Sequence, residues 1–242
     1  MNSNLDSEIK ELIWNEVWFG FNSKDVIIDI VFENFIDNEE PDEEIVKKYL
    51  ASIIKLKNNE EKKWGERQSL GFYKLSRIFD NLHMDGIIAL HNSGYTQSDG
   101  ISDANEAFDQ IVNKAEIIGY CFYHQQDLER LIPEFSIENK IIYSNQNLLL
   151  SFGAFNDESD ELKKKVAVKI VEKIKLFDLT PKWNNNLETR IEVENLKWEK
   201  KVDEEDWSLN RSLYLINEHI PEKRKSELNS EAPKKKWWKF GK

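Results

Sequence analysis

Apolar residues recur near the helical period at the start of the chain, where Leu5, Ile9, Leu12, Ile13 and Trp14 share one side and the pattern breaks around Gly20 to Asn22. Ser23 follows with a side chain suited to an N-cap, opening a second helix that carries Val26, Ile27, Ile30, Val31 and Asn34 or Phe35. From Asp37 to Glu44 six of eight residues are acidic and one is Pro41. That composition marks a loop whose acids favour the start of a third helix, about Asp42 to Lys57, with Ile45, Val46, Tyr49, Leu50, Ile53 and Ile54 as its apolar residues. A fourth helix, about Leu70 to His83, leads through Asp85 and Gly86 into a different pattern.

Beyond Gly86 short apolar runs alternate with helical ones, as in a sheet covered by helices. Strands are predicted at Ile87 to Asn92, Ile117 to His124, Leu148 to Phe155, Leu179 to Trp183 and Thr189 to Val193, with a helix near Asp103 to Lys114 between the first two. From Ser159 to Phe177 the helical pattern is clearest: Leu162, Val166, Ile170, Ile174 and Phe177 make one stripe, and Lys165, Lys169 and Lys173 a second, read as a solvated face. Asn184 to Asn186 supply turn chemistry for an antiparallel hairpin between the last two strands. A final helix is predicted at about Glu204 to Glu218. The expected fold is α/β, with α+β as its variant: a helical N-terminal leader (1–84) packed on the core, a mixed sheet of about five strands covered by helices and ending in a C-terminal hairpin (85–198), and a charged helix with a flexible basic-aromatic tail (199–242).

Composition narrows the setting. With 40% hydrophobic residues, nine Gly and five Pro, the chain is far from low-complexity or wholly disordered sequences. The opening residues lack a basic start and an apolar h-region, and no later run approaches the roughly 18 apolar residues of a membrane span. A lone cysteine, Cys121, precludes an intramolecular disulfide and a zinc site of several thiolates, so a cytoplasmic location is expected. Glu222 to Lys242 hold eight Lys or Arg against three Glu, so this tail carries +5 and the rest of the chain −16 of the net −11. Such a body repels nucleic acid, and no specific DNA or RNA partner is expected. The terminal Trp237, Trp238 and Phe240 among lysines form a candidate interaction motif, suited to weak peripheral contact with an anionic membrane or to docking on a protein partner.

Candidate chemistry lies where predicted strands end in polar residues. The run Ile87 to Leu90 passes into His91-Asn-Ser-Gly94-Tyr-Thr96-Gln-Ser98-Asp99-Gly100, a strand-to-helix loop of the kind that binds ligands in α/β proteins. Asp99 and Asp103 at the following helix start disfavour an anion, and a cation or amine-bearing group suits the loop better. The second strand ends in Tyr123-His124-Gln-Gln-Asp127. If the two strands are parallel neighbours, His91, Asp99, His124 and Asp127 could converge for acid–base chemistry or metal binding. Each also has a structural role open to it: Asp127, Ser98 or Asp99 as helix caps, and the histidines as partners of backbone carbonyls. Thr96 and Ser98 complete the candidate ligand-binding set. Cys121 falls on the opposite strand face from His124, which removes a Cys–His dyad within that strand, and its neighbours Tyr120 and Phe122 suggest a buried, inert thiol. Gly153 is read as a point where the sheet bends.

The runs Gly86 to Gly100, Gly119 to Arg130, Leu150 to Ala154 and Arg190 to Val193, with Val17 to Phe21 and Trp64 upstream, resemble an uncharacterised bacterial family known only as a domain of unknown function. The resemblance spans about Leu5 to Lys200, leaves the lysine-tryptophan tail outside, and implies no activity, substrate or catalytic residue. Where that family has a Trp followed by acidic residues, this chain has Trp64-Gly-Glu-Arg-Gln. Two function classes follow from the sequence: a protein- or ligand-binding accessory module, the immunity type included, and an enzyme or metal-binding protein with a His/Asp site at the strand ends. Catalytic residues, metal and cofactor stay undetermined at this stage.

Overall fold

Strands β1 (Ile87–Leu90), β2 (Gly119–Phe122), β3 (Leu148–Ala154), β4 (Thr180–Lys182) and β5 (Ile191–Glu194) form one sheet in the order β1-β2-β3-β5-β4. The computed structural model describes residues 3–35, 41–135, 141–143, 146–155, 159–203 and 205–218. β1 and β2 run parallel, while β2–β3, β3–β5 and β4–β5 are antiparallel, so the sheet is mixed and ends in the hairpin that Asn184 to Asn186 announce. The leader supplies α1 (Ser3–Phe19), α2 (Lys24–Asn34), α3 (Glu43–Glu61) and α4 (Gly71–Met84). The sheet region adds α5 (Gln97–Gln110), α6 (Gln125–Glu129) and α7 (Asp160–Leu176), and a last helix, α8, occupies 209–218.

Alternation along the strands divides the apolar residues between two cores. Ile87, Ala89, Cys121, Tyr123, Leu148, Leu150, Ile191 and Val193 point to one face, where they meet the leader, α4 and α7. α4 is the hub of that face because Phe72, Leu75, Phe79 and Leu82 follow the helical period and are all fully buried. α7 completes it with Val166, Ile170 and Ile174. Ile88, Leu90 and Phe122 point the other way, against Ala104 and Ala107 of α5 and Leu213 and Ile216 of α8. Gly100 is required here, since a Cβ at this position would lie 2.2 Å from the Phe122 ring.

Several local expectations shift. α5 begins at Gln97 and not near Asp103, because Thr96 is its N-cap and Asp99, not Ser98, closes the cap from N3: Asp99 Oδ2 accepts the Thr96 backbone N–H at 2.8 Å in a reciprocal capping box. The final helix starts at 209 and not at 204, since Asp206 holds the Ser208 N–H at 2.8 Å in a turn while Trp207 docks into the core. Two of the three lysines read as a solvated face, Lys169 and Lys173, pair with Asp85 at 3.5 and 3.0 Å and tie α7 to the end of α4. Gly153 makes room for the Tyr120 hydroxyl, which would stand 2.4 Å from a Cβ there. The acidic stretch 36–40 and the tail with Trp237, Trp238 and Phe240 lie outside the described residues. Among the described residues no helix is long and apolar enough to cross a membrane.

Candidate functional site

At the carboxyl end of β1 the chain turns through Asn92, in the left-handed region at φ 45°, and Gly94 at φ 64°. Strand alternation already sets His91 on the α4 face with Ile87 and Ala89. Its ring stacks on Phe79 with centroids 4.5 Å apart and meets Phe72 at 5.3 Å, Trp207 at 5.6 Å and Tyr123 at 5.8 Å. Burial holds the imidazole well below the usual histidine range, and the charges of Arg211 and Lys200 push the same way, so His91 is neutral at neutral pH. Its Nδ1 lies 3.0 Å from the Tyr123 hydroxyl. His91 Nδ1 is the partner this hydroxyl has among the described residues, and as a buried O–H it needs an acceptor. The phenolic proton therefore goes to Nδ1, which leaves the imidazole proton on Nε2.

Among the described residues neither His91 Nε2 nor Asn92 Oδ1 has a hydrogen-bond partner, although both atoms are buried. Both residues line a groove of about 870 Å³ whose other walls are Phe21 to Asp25, Val202, Asp203 and Glu205 to Ser208, Trp207 included. Near it Lys200 is fully buried in an aromatic box, its ammonium 5.1 Å from the Phe21 ring, 4.9 Å from Phe72 and 5.2 Å from Trp207. Burial pushes its pKa down to about 8 against the pull of Asp203 at 3.3 Å. Burial opposes ionisation of Asp203 too, but the Trp207 N–H at 2.7 Å, Lys200 and the Tyr73 hydroxyl at 3.0 Å hold its carboxyl below the ordinary value. Among the described residues that line the groove Lys24 is the one cation, against Asp25, Asp203, Glu205 and Asp206; Arg67 and Lys200 pair with Asp203 and Glu205 from behind, so one negative charge is left in excess.

One residue beyond Tyr123, strand alternation turns His124 to the opposite face. Its Nε2 lies 3.1 Å from Asp127 Oδ2, and Arg190, just ahead of β5, places Nη1 2.8 and 2.9 Å from the two Asp127 oxygens and 3.1 Å from His124 Nε2. Asp127 is 2% exposed, so this pairing compensates a charge that could not otherwise stay buried. Burial lowers the His124 pKa, Asp127 opposes that, and Arg190 reinforces it. Among the described residues His124 Nδ1 is buried without a partner, as is Oγ of Ser151, which pairs in register with Phe122 of β2.

The sequence-predicted residues thus divide. His124 and Asp127 are in contact, and Asp99 is near enough for its charge to act on His124. Thr96 and Asp99 cap α5, and Ser98 is exposed in its first turn. His91 stands apart from these on the other side of the sheet, with Arg211, His83 and Lys200 as its electrostatic neighbours. Among the described residues no three His, Cys, Asp or Glu are placed to hold a metal ion. Cys121 is fully buried and its thiol pKa is raised by burial. Arg190, Ser151, Trp207 and Lys200 escaped sequence reasoning. Only Arg190 left a signal, as the cation at the mouth of the last strand.

Neither a curated protein nor a solved structure matches the chain. A family model does, over residues 2–202, and the chain accordingly belongs to the family described as domain of unknown function DUF6891.

Proposed function

We propose that the protein is a ligand-binding module whose site is the groove at the end of β1. One observation carries this reading: two residues that line the groove each hold a buried polar atom, the donor His91 Nε2–H and the acceptor Asn92 Oδ1, with no partner for either among the described residues. An unmatched buried polar group costs about 1–3 kcal/mol, a cost that a ligand offering the complementary pair would remove. The fitting group presents an acceptor beside a donor, as a carboxamide does, with a flat or apolar part to lie against Phe21 and Trp207. The negative wall favours neutral or cationic ligands over anions. Binding suits the site better than proton transfer, because a histidine held neutral far below pH 7 cannot exchange protons with a substrate near neutrality.

The test is a titration of benzamide, acetamide and benzoate followed through the tryptophan indole signals. Benzamide should saturate, benzoate should not, and His91→Phe should weaken benzamide by roughly tenfold, the equivalent of one lost hydrogen bond. Equal binding of benzoate, or a His91→Phe protein that binds as the parent does, would refute the reading. A second reading, a module for basic protein partners, rests on the −16 carried by Met1 to Pro221. A low-salt pull-down that recovers no specific partner counts against it.

A further inference from the structure

A second cavity, of about 450 Å³, lies between the end of α3 and the strand that leaves β5, and shares no residue with the groove at His91. Three aromatic residues, Trp64, Tyr143 and Trp198, line it together with the carboxylates of Glu60 and Glu199. The aromatic part is fixed from behind. Trp198 is 1% exposed and gives its indole N–H to the Phe19 carbonyl at 3.3 Å, while Tyr143 packs edge-on to Trp18 with centroids 6.4 Å apart. The Tyr143 hydroxyl lies within the fields of both carboxylates, which help burial to raise its pKa. Glu60 pairs with the exposed Lys63, and among the described residues Glu199 makes no ion pair. Lys197 also lines the cavity, so with Lys63 the lysines match the carboxylates in number, and Glu199 is the carboxylate left without an ion pair among the described residues.

Aromatic faces alone would take any apolar group, and carboxylates alone would take any hydrated cation. Together they select a cation that gives up its water readily, because ring faces replace a hydration shell well only when that shell is weak. Methyl groups on nitrogen spread the charge over an apolar surface, which suits aromatic rings beside carboxylates. We infer that this cavity binds a methylated ammonium group, held by the Trp64 and Tyr143 rings and by Glu60 and Glu199, with the buried Trp198 as the wall behind them.

The experiment uses the full chain, with choline as the probe and its uncharged isostere 3,3-dimethylbutan-1-ol as the control. Binding is read from tryptophan fluorescence and indole proton shifts. Choline should saturate the signal and bind at least roughly tenfold more tightly than the isostere, the difference expected when a desolvated cation meets ring faces. Trp64→Leu should weaken choline by about tenfold and Glu199→Gln by a few-fold, with unchanged circular dichroism. Should Trp64→Leu fail to fold, Glu199→Gln, at a partly exposed position, decides the matter alone. His91→Phe should leave choline binding intact, which separates this site from the carboxamide groove. The inference is overturned if choline gives no saturable response, if the isostere binds equally well, if Glu199→Gln binds as the parent does, or if His91→Phe abolishes the response.

Discussion

Tyr123 carries the proton that decides what His91 can offer. Its hydroxyl donates to Nδ1, so the imidazole is fixed as the Nε2–H tautomer by one phenol. Nitrogen-15 NMR should show that tautomer for His91, with no titration between pH 5 and 8; a midpoint near 6.5 would contradict the buried, neutral ring. Tyr123→Phe removes the donor and leaves the buried Nδ1 unmatched, and should lower stability by about 1–3 kcal/mol in urea unfolding while loosening the tautomer preference. At this scale the sequence was legible in part. His91 and His124 stand out as polar ends of apolar runs, but whether they meet depends on the register of β1 and β2, which sets Ala89 opposite Cys121 and so His91 beside Tyr123 and not His124. Arg190 is 63 residues from Asp127, and a contact over that separation leaves no local pattern.

Elements were read best where a single periodicity governs them and worst where side chains decide a boundary. The core of α7 and the Asp42 cap of α3 follow from stripe and cap residues that are contiguous in sequence. α5 was read as starting too late because Gln97 to Gly100 are polar and turn-like by composition, whereas the Thr96–Asp99 pair makes them the first helical turn. Thr96→Ala should therefore cost about 0.5–2 kcal/mol, measured as a fall in the urea midpoint, with the end of α5 unaffected. Gly100→Ala should cost more, about 1–3 kcal/mol, because the added methyl meets a ring wall in the sheet and not solvent. If Gly100→Ala proved as stable as the parent, α5 would have to be free to slide away from Phe122. The sheet order was beyond sequence reading, since strand partners are chosen by which apolar faces the helices leave open.

For the whole molecule the buried lysines set an unusual pH profile. Lys57 is 1% exposed, donates to the Val17 carbonyl at 2.8 Å, and has its pKa pushed to about 7 by burial, with Glu61 and Asp203 opposing and Lys200 assisting. Between pH 7 and 10 the unfolded chain holds protons that the native chain lacks at Lys57 and Lys200, so stability should rise with pH. For Lys57 the full effect is on the order of 5 kcal/mol. Above pH 10 the raised pKa of Tyr73 reverses the trend. On the acid side, burial lowers the His83 pKa to about 4, so stability should fall as pH drops from 6.5 to 4, by about 3 kcal/mol for this residue. Lys57→Met should raise the urea midpoint at pH 7 and flatten the alkaline slope; an unchanged slope would place the effect elsewhere. Cys121 gives these measurements an internal clock. The thiol sits in the strand bonded on both edges, so a reagent such as a maleimide reaches it only when that pairing comes apart. Its rate of labelling in plain buffer then counts openings of the sheet itself, without denaturant and without an engineered cysteine.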